Sequence, residues 1–250
     1  AKYLSSTIPV LQITWSRYFF TVVIALPIML IFFRRNFKWT EQPKLQLIRG
    51  LLLFCANILF FYSISVISLS KALTLAFIAP LIVTILSPFF LGEKVGLRRW
   101  IAVIVGFFGS LIVLRPGFVE INLASIAALG TGVLYGFYLI VTKKLHKSDH
   151  PLLTLLLTGV VGAIIASFLV PVVWVNPTLI QWSWLALMGI FACLGHILLI
   201  LSLRHADASK LAPFGYFEII TNIILGYYVF RDFPDLWTFL GLFIIISSGI

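Results

Sequence analysis

The sequence predicts an all-α membrane protein that crosses the bilayer many times, and three observations support this prediction. Hydrophobic residues make up 61% of the 250 residues and charged residues only 10%, whereas soluble domains carry about 25% charged residues. The apolar residues form runs near the ~20 residues that a spanning helix needs. These runs do not alternate apolar with polar positions as membrane barrel strands do. Lipid is therefore the expected solvent for most of the chain.

Nine apolar segments are predicted to be membrane helices. Their approximate bounds are 8–33, 45–66, 71–91, 99–115, 121–142, 151–174, 183–203, 209–230 and 236–250. No polar residue ends the last segment, so we expect this helix to be cut short at Ile250.

The loop charges predict the orientation. If successive loops lie on alternate sides of the membrane, one side holds most of the basic residues, namely Arg34, Arg35, Lys38, Lys44, Arg49, Lys94, Arg98, Arg99, Lys143, Lys144, Lys147, Arg204 and Lys210. The other side holds Lys2, Lys71, Arg115 and Arg231. Cytoplasmic loops are enriched in Lys and Arg, so the first group is predicted to be cytoplasmic and the first helix to run inward. The net charge of +10 is thus a topology signal, and nucleic acid is not an expected partner.

The two halves of the chain resemble each other. A shift of 139 residues superimposes Gly50 on Gly189, Ser63 on Ser202, and Ser70-Lys71 on Ser209-Lys210. We predict two repeats, 1–115 and 121–250, of which the first lacks its first helix. The intact protein would have ten helices in two sets of five. Because five is odd, the repeats would enter the membrane in opposite senses, an arrangement typical of secondary transporters.

Several motifs resemble a known family. The Arg17 motif WSRYFF, the segment IAPLIVTILSPFFLGEK at 78–94, and Gly106 with Gly109 are similar to the drug/metabolite transporter superfamily, EamA type. The run IRGLLLF at 48–54 resembles the branch that contains S-adenosylmethionine and riboflavin uptake carriers. The resemblance implies ten helices with cytoplasmic termini and metabolite transport without ATP.

Two charged residues within apolar segments are the main candidates for function. Charged groups at membrane depth cost about 2.5–3.5 kcal/mol each. Glu218 lies in the middle of a predicted helix, where it could bind substrate, exchange a proton, or form a structural hydrogen bond. Arg17 needs an anionic partner or a polar cavity; Glu218, an anionic substrate group, or a structural ion pair would satisfy it.

Other polar and aromatic residues are weaker candidates. Asn57 and His196 coincide under the shift of 139 residues, so an inverted repeat would place both near the midplane, where substrate sites occur. Tyr135, Tyr138, Tyr216 and Trp15 could stack on a planar substrate, although packing is an equally ordinary role for aromatic residues.

The sequence contains none of the common catalytic or nucleotide-binding motifs. We therefore expect a secondary transporter of a small organic metabolite, proton-coupled or exchanging, rather than an enzyme. The alternatives are an intramembrane enzyme and a membrane scaffold. No cofactor or metal is expected, the bacterial inner membrane is the expected location, and a homodimer is left open.

Overall fold

The structure is a computed structural model, and it describes residues 1–32, 39–114, 122–146, 148–216, 218, 221, 227–228 and 235–249. Ten α-helices have defined bounds in these ranges: α1 (Val10–Phe32), α2 (Pro43–Val66), α3 (Leu69–Ala76), α4 (Ala79–Leu91), α5 (Leu97–Leu114), α6 (Leu123–Leu145), α7 (Pro151–Leu169), α8 (Leu179–His205), α9 (Ala208–Leu211) and α10 (Leu236–Gly249). Short 3₁₀ helices cover Leu4–Ser6, Val170–Val173 and Ala212–Tyr216. The described part contains no strand, and the predicted all-α membrane fold is confirmed.

Six stretches in the described ranges are long and apolar enough to cross a membrane. They are Val10–Ile31, Pro43–Val66, Lys71–Leu91, Leu123–Leu145, Pro151–Val173 and Leu179–His205. Large apolar side chains remain exposed on them, such as Ile31 at 73% and Phe168 at 81%. Exposed apolar surface of this extent suits a lipid solvent. Of the predicted helix 209–230, residues 217, 219–220, 222–226 and 229–230 lie outside the described residues.

One predicted span is broken in two. The segment 71–91 forms α3 and α4, and Phe77 and Ile78 separate them. Pro80 lies in the first turn of α4. Proline is tolerated there because its missing N–H would have no helical partner in a first turn, whereas inside a helix it removes a hydrogen bond. The chain therefore starts a new helix at this point.

The chain forms two compact units, and each draws on both halves of the sequence. Unit 1 comprises Ala1–Phe61 and Val141–His205, and unit 2 comprises Tyr62–Ile140 and Ala206–Ile250. In unit 1, α1 packs against α7 and α8. Its apolar core includes Ala25, Met29 and Leu153.

In unit 2, α10 packs against α5, and α4 contacts α5 and α9. The loop after α4 reaches α9 through Glu93, whose carboxylate accepts hydrogen bonds from the backbone N–H groups of Ala208 and Ser209 at 2.8 and 3.0 Å. Arg99 donates to the Ser209 hydroxyl at 2.8 Å. The two bonds to Glu93 satisfy N–H groups that the start of a helix leaves unpaired.

The start of α7 in unit 1 is capped by a histidine. His150 Nδ1 accepts a hydrogen bond from the Leu152 N–H at 3.3 Å. Only a neutral imidazole can accept in this way. Partial burial lowers the pKa of His150, and the positive charge of Arg204 lowers it further. Both effects favour the neutral ring that the cap requires.

Candidate functional site

Arg17 and His196 contact each other inside unit 1. Arg17 lies on α1 and is 7% exposed, and its Nη2 lies 2.5 Å from Nε2 of His196 on α8. A guanidinium can only donate hydrogen bonds, so His196 Nε2 accepts and its ring is neutral in this contact. Two residues that were separate candidates in the sequence thus form one pair.

Tyr18 and Asn57 form a second pair beside the first. Asn57 Nδ2 on α2 lies 2.7 Å from the Tyr18 hydroxyl oxygen and 2.7 Å from the Leu53 carbonyl oxygen. Tyr18 follows Arg17 in α1, and the Arg17 Cζ atom lies 5.1 Å from the centre of the Tyr18 ring. The sequence analysis predicted Asn57 as a site residue and overlooked Tyr18.

A glycine on α7 makes room for this arrangement. A Cβ atom at Gly162 would overlap the ring of Tyr18, so the helices can approach closely only because this position has no side chain. Tyr18 is 1% exposed. The close contact fixes the ring and holds the Asn57 pair in place.

These four residues, Arg17, Tyr18, Asn57 and His196, form the candidate site. They lie on three helices of one unit and combine a cationic donor, a neutral imidazole, a phenol and an amide. Such groups can hydrogen-bond a small polar solute within otherwise apolar helices. Polar side chains in membrane helices are costly and usually functional, which makes this cluster the first candidate for solute binding.

Sequence reasoning also overlooked Arg49, which is completely buried. Its Nε donates to the Thr142 hydroxyl at 2.7 Å and its Nη1 to the Thr154 carbonyl at 3.0 Å. Nη1 also donates to the hydroxyl of Thr158. The orientation prediction counted Arg49 as a loop charge, whereas it lies inside α2 and joins α6 and α7.

Asp149 lies at the other end of this network and is 8% exposed. Its Oδ2 accepts from the Thr40 hydroxyl at 2.5 Å and from Gln46 Nε2 at 2.6 Å. Gln46 Nε2 also lies 3.1 Å from the Thr154 hydroxyl oxygen. Gln46 and Thr154 therefore connect the carboxylate to the Arg49 guanidinium.

Trp15 belongs to an aromatic cluster in unit 1. Its ring stacks on Phe19 with centroids 4.8 Å apart and meets Trp174 edge-on at 5.5 Å. Its Nε1 donates to the Ser167 hydroxyl at 2.8 Å. An amphipathic ring with a satisfied N–H is typical of a membrane interface, so the geometry favours anchoring over substrate stacking.

Tyr135 and Tyr138 lie on α6 in unit 2. Their rings stack with centroids 5.4 Å apart, and Tyr138 is fully buried. Tyr216 ends the 3₁₀ helix Ala212–Tyr216, and its side chain lies outside the described part of the chain. The predicted role of all three in substrate binding stays a prediction.

Glu218 belongs to unit 2 and has an exposed side chain. Its backbone carbonyl accepts a hydrogen bond from the Thr221 hydroxyl at 2.9 Å. Its immediate neighbours Phe217 and Ile219 lie outside the described residues. The role of Glu218 in coupling therefore stays a prediction as well.

Metal ligands are not grouped in the part of the chain that the structure describes, since its His, Cys, Asp and Glu residues form no set of three that could hold an ion. The polar groups of the candidate site are instead a guanidinium, an imidazole, an amide and a phenol, which can hydrogen-bond an organic solute. Arginine and lysine cannot serve as metal ligands while they are charged.

Curated relatives are transporters. The chain is 29% identical over 248 residues to an S-adenosylmethionine uptake transporter of Rickettsia bellii, covering 99% of this chain and 85% of that protein. It is 28% identical over 244 residues to a riboflavin transporter of Vibrio cholerae, covering 96% and 82%. It is also 25% identical over 255 residues to a pseudopaline exporter of Pseudomonas aeruginosa, covering 100% and 88%.

A solved crystal structure shares the fold, with a TM-score of 0.80 and 15% identity over 97% of this chain and 88% of the other. Residues 1–115 and 122–250 each match the EamA-like transporter family. These matches span nearly the whole chain, and they agree with the many apolar helices and with relatives that are transporters rather than enzymes. The chain is a multi-pass integral membrane protein and belongs to the EamA-like transporter family of the drug/metabolite transporter superfamily.

Proposed function

We propose that the chain is a secondary carrier that moves a small organic metabolite across the membrane by alternating access. The observation that carries this proposal is the buried contact between Arg17 and His196. Inserting a cation into a membrane helix costs several kcal/mol, and Arg17 has no carboxylate among the described residues to offset that cost. A solute site that opens to either side of the membrane accounts for this cation.

The proposed mechanism rests on two inverted repeats, residues 1–115 and 121–250. Two opposed copies of one design have two nearly equivalent packings, each open to one side of the membrane. Each compact unit draws on both halves of the sequence, and this supports a design in which neither half acts alone. The sequence contains no P-loop that would bind ATP, so a solute gradient is the proposed driving force.

The relatives indicate which solutes to test first. S-adenosylmethionine and riboflavin are the solutes of two relatives, and we propose a metabolite of comparable size. Because the relatives include an exporter, both directions of transport need testing. We place the protein in a bacterial inner membrane, as its bacterial relatives suggest.

Reconstituted vesicles provide the test. A carrier gives saturable flux that accelerates when unlabelled solute is preloaded on the opposite side. A scaffold or an intramembrane enzyme gives no such counterflow. The proposal fails if the purified, folded protein shows no saturable flux with either solute or with a broad metabolite library in either direction.

We also propose that Glu218 carries the coupling proton, with solute exchange as the alternative. A carboxyl group in an apolar helix can hold a proton because its charged form is poorly solvated there. Glu218→Gln should abolish the effect of a pH gradient on flux, and should leave membrane insertion intact. Asp235→Asn is the matched control, because Asp235 is exposed and precedes α10. If gradient-driven flux in Glu218→Gln equals that of the control, Glu218 has no coupling role.

A further inference from the structure

Unit 1 holds one more buried positive charge than buried negative charge in the ranges that the structure describes. Its buried charged residues there are Arg17, Arg49 and Asp149. An ion removed from water is stable in a protein only when an opposite charge or strong hydrogen bonds compensate it. One of the two guanidinium groups therefore lacks a carboxylate within the described part of the unit.

The hydrogen-bond network around Arg49 compensates its positive charge. Its guanidinium donates to Thr142, Thr154 and Thr158. Thr154 also contacts Gln46, which in turn donates to Asp149. The carboxylate of Asp149 is thus hydrogen-bonded within the network that contains Arg49.

Arg17 has only neutral partners among the described residues, namely His196 Nε2 and the face of the Tyr18 ring. A guanidinium has five N–H donors, two of them on Nη2. One Nη2 hydrogen is parallel to the Nε hydrogen and the other is parallel to an Nη1 hydrogen. When either of them points at His196, the other still forms a pair with its parallel neighbour. Among the contacts of the described residues, one complete two-pronged edge therefore has no partner, and that edge matches a carboxylate.

We infer that Arg17 binds a carboxylate of the transported solute, and that His196 is a positioning residue that holds the guanidinium in place. This inference rests on the proposed carrier function and names the chemical class of its substrate. The anion neutralises the surplus charge of unit 1 while it is bound. The negative charge of the bound solute stabilises the Arg17 cation at membrane depth during transport.

The charge of the site favours a carboxylate over a phosphate. His196 accepts a hydrogen bond and is neutral, so the Arg17–His196 pair carries a single positive charge. A monoanionic carboxylate balances that charge, whereas a phosphate monoester carries up to two negative charges near neutral pH. A second cation would then be required, and Arg49 is occupied by its own network.

The first experiment measures competition for flux in vesicles that contain the intact protein. Each carboxylic acid that inhibits flux is compared with its methyl ester, which has the same skeleton without the negative charge. We expect the ester to bind at least about ten-fold more weakly, which corresponds to about 1.4 kcal/mol. Arg17→Lys should reduce that ratio because lysine lacks the planar fork. Arg204→Lys is the control at an exposed position of α8. Esters that compete as well as their acids overturn the inference, even when the protein transports.

The second experiment does not depend on transport. Phenylglyoxal modifies arginine side chains, and mass spectrometry measures the modification of Arg17 with acetate or with the uncharged acetamide present. We expect acetate to slow modification of Arg17 at least two-fold relative to acetamide and to leave modification of Arg204 unchanged. His196→Leu should weaken this protection, and His196→Gln, which keeps an acceptor, should restore part of it. Equal modification rates with the two probes overturn the inference. Absence of flux together with protection by acetate overturns the carrier function alone.

Discussion

Replacing Arg49 tests whether the buried network of unit 1 stabilises the fold. Arg49→Met removes the guanidinium and keeps an unbranched apolar side chain. The loss includes three hydrogen bonds of the described residues, to the Thr142 hydroxyl, the Thr154 carbonyl and the Thr158 hydroxyl. Side-chain hydrogen bonds within membrane proteins average about 0.6 kcal/mol. The free energy of unfolding should therefore fall by about 2 kcal/mol.

The assay is equilibrium unfolding in mixed micelles, followed by tryptophan fluorescence. Thr158→Val removes the bond that this hydroxyl accepts from Arg49 and the one that it donates to the Thr154 carbonyl at 2.9 Å, and should cost about 1.2 kcal/mol. In the double variant the two losses should not add, because both remove the same bond. Arg204→Met is the matched control, since Arg204 is exposed on α8 and surface substitutions stay within about 0.5 kcal/mol. Equal stabilities of Arg49→Met and Arg204→Met would refute the structural role of the network.

Two further substitutions test other contacts of unit 1. Gly162→Ala should lower both stability and solute affinity, because the added Cβ would overlap the ring of Tyr18. Gly195→Ala is the control and should be neutral by the same assays, because no neighbouring atom lies within 4 Å of its added Cβ. The pKa of His150 is lowered in the folded state, so the neutral cap stabilises the protein above the unfolded pKa near 6.5, and this contribution is lost as the pH falls through the folded-state value. His150→Asn keeps a capping side chain without titration, and its unfolding should depend less on pH below 6.5; identical pH profiles would contradict the role of the cap.

The fold class could be predicted from the sequence because lipid leaves a chain few choices. A backbone in hydrocarbon must satisfy its own hydrogen bonds, so long apolar runs become helices. The break between α3 and α4 was less predictable. Pro80 indicates a kink or a break equally well, and neighbouring helices decide between them. Hydropathy alone does not contain that information.

The candidate site could be predicted only in part. Arg17 was predicted because charged groups are rare in apolar segments, and Asn57 and His196 because they coincide under the shift of 139 residues. Their contacts depend on how α1, α2 and α8 pack. Tyr18 was missed because a tyrosine beside other aromatic residues has no distinctive pattern. The spacing of Thr154 and Thr158 places both residues on one face of α7, but it does not indicate that Arg49 bonds to the carbonyl of the first and the hydroxyl of the second.

The two buried arginines of unit 1 separate stability from solute binding. Arg49 donates to three oxygen acceptors and connects through Thr154 and Gln46 to Asp149, so its described contacts account for a structural role. Arg17 has a neutral imidazole as its described hydrogen-bond partner, and the proposed anionic solute would supply the balancing charge. Losing Arg49 should therefore reduce the free energy of unfolding, and losing Arg17 should reduce solute affinity. If Arg17→Gln instead lowers stability as much as Arg49→Met and leaves solute affinity unchanged, both arginines are structural, and the solute must bind elsewhere in the protein.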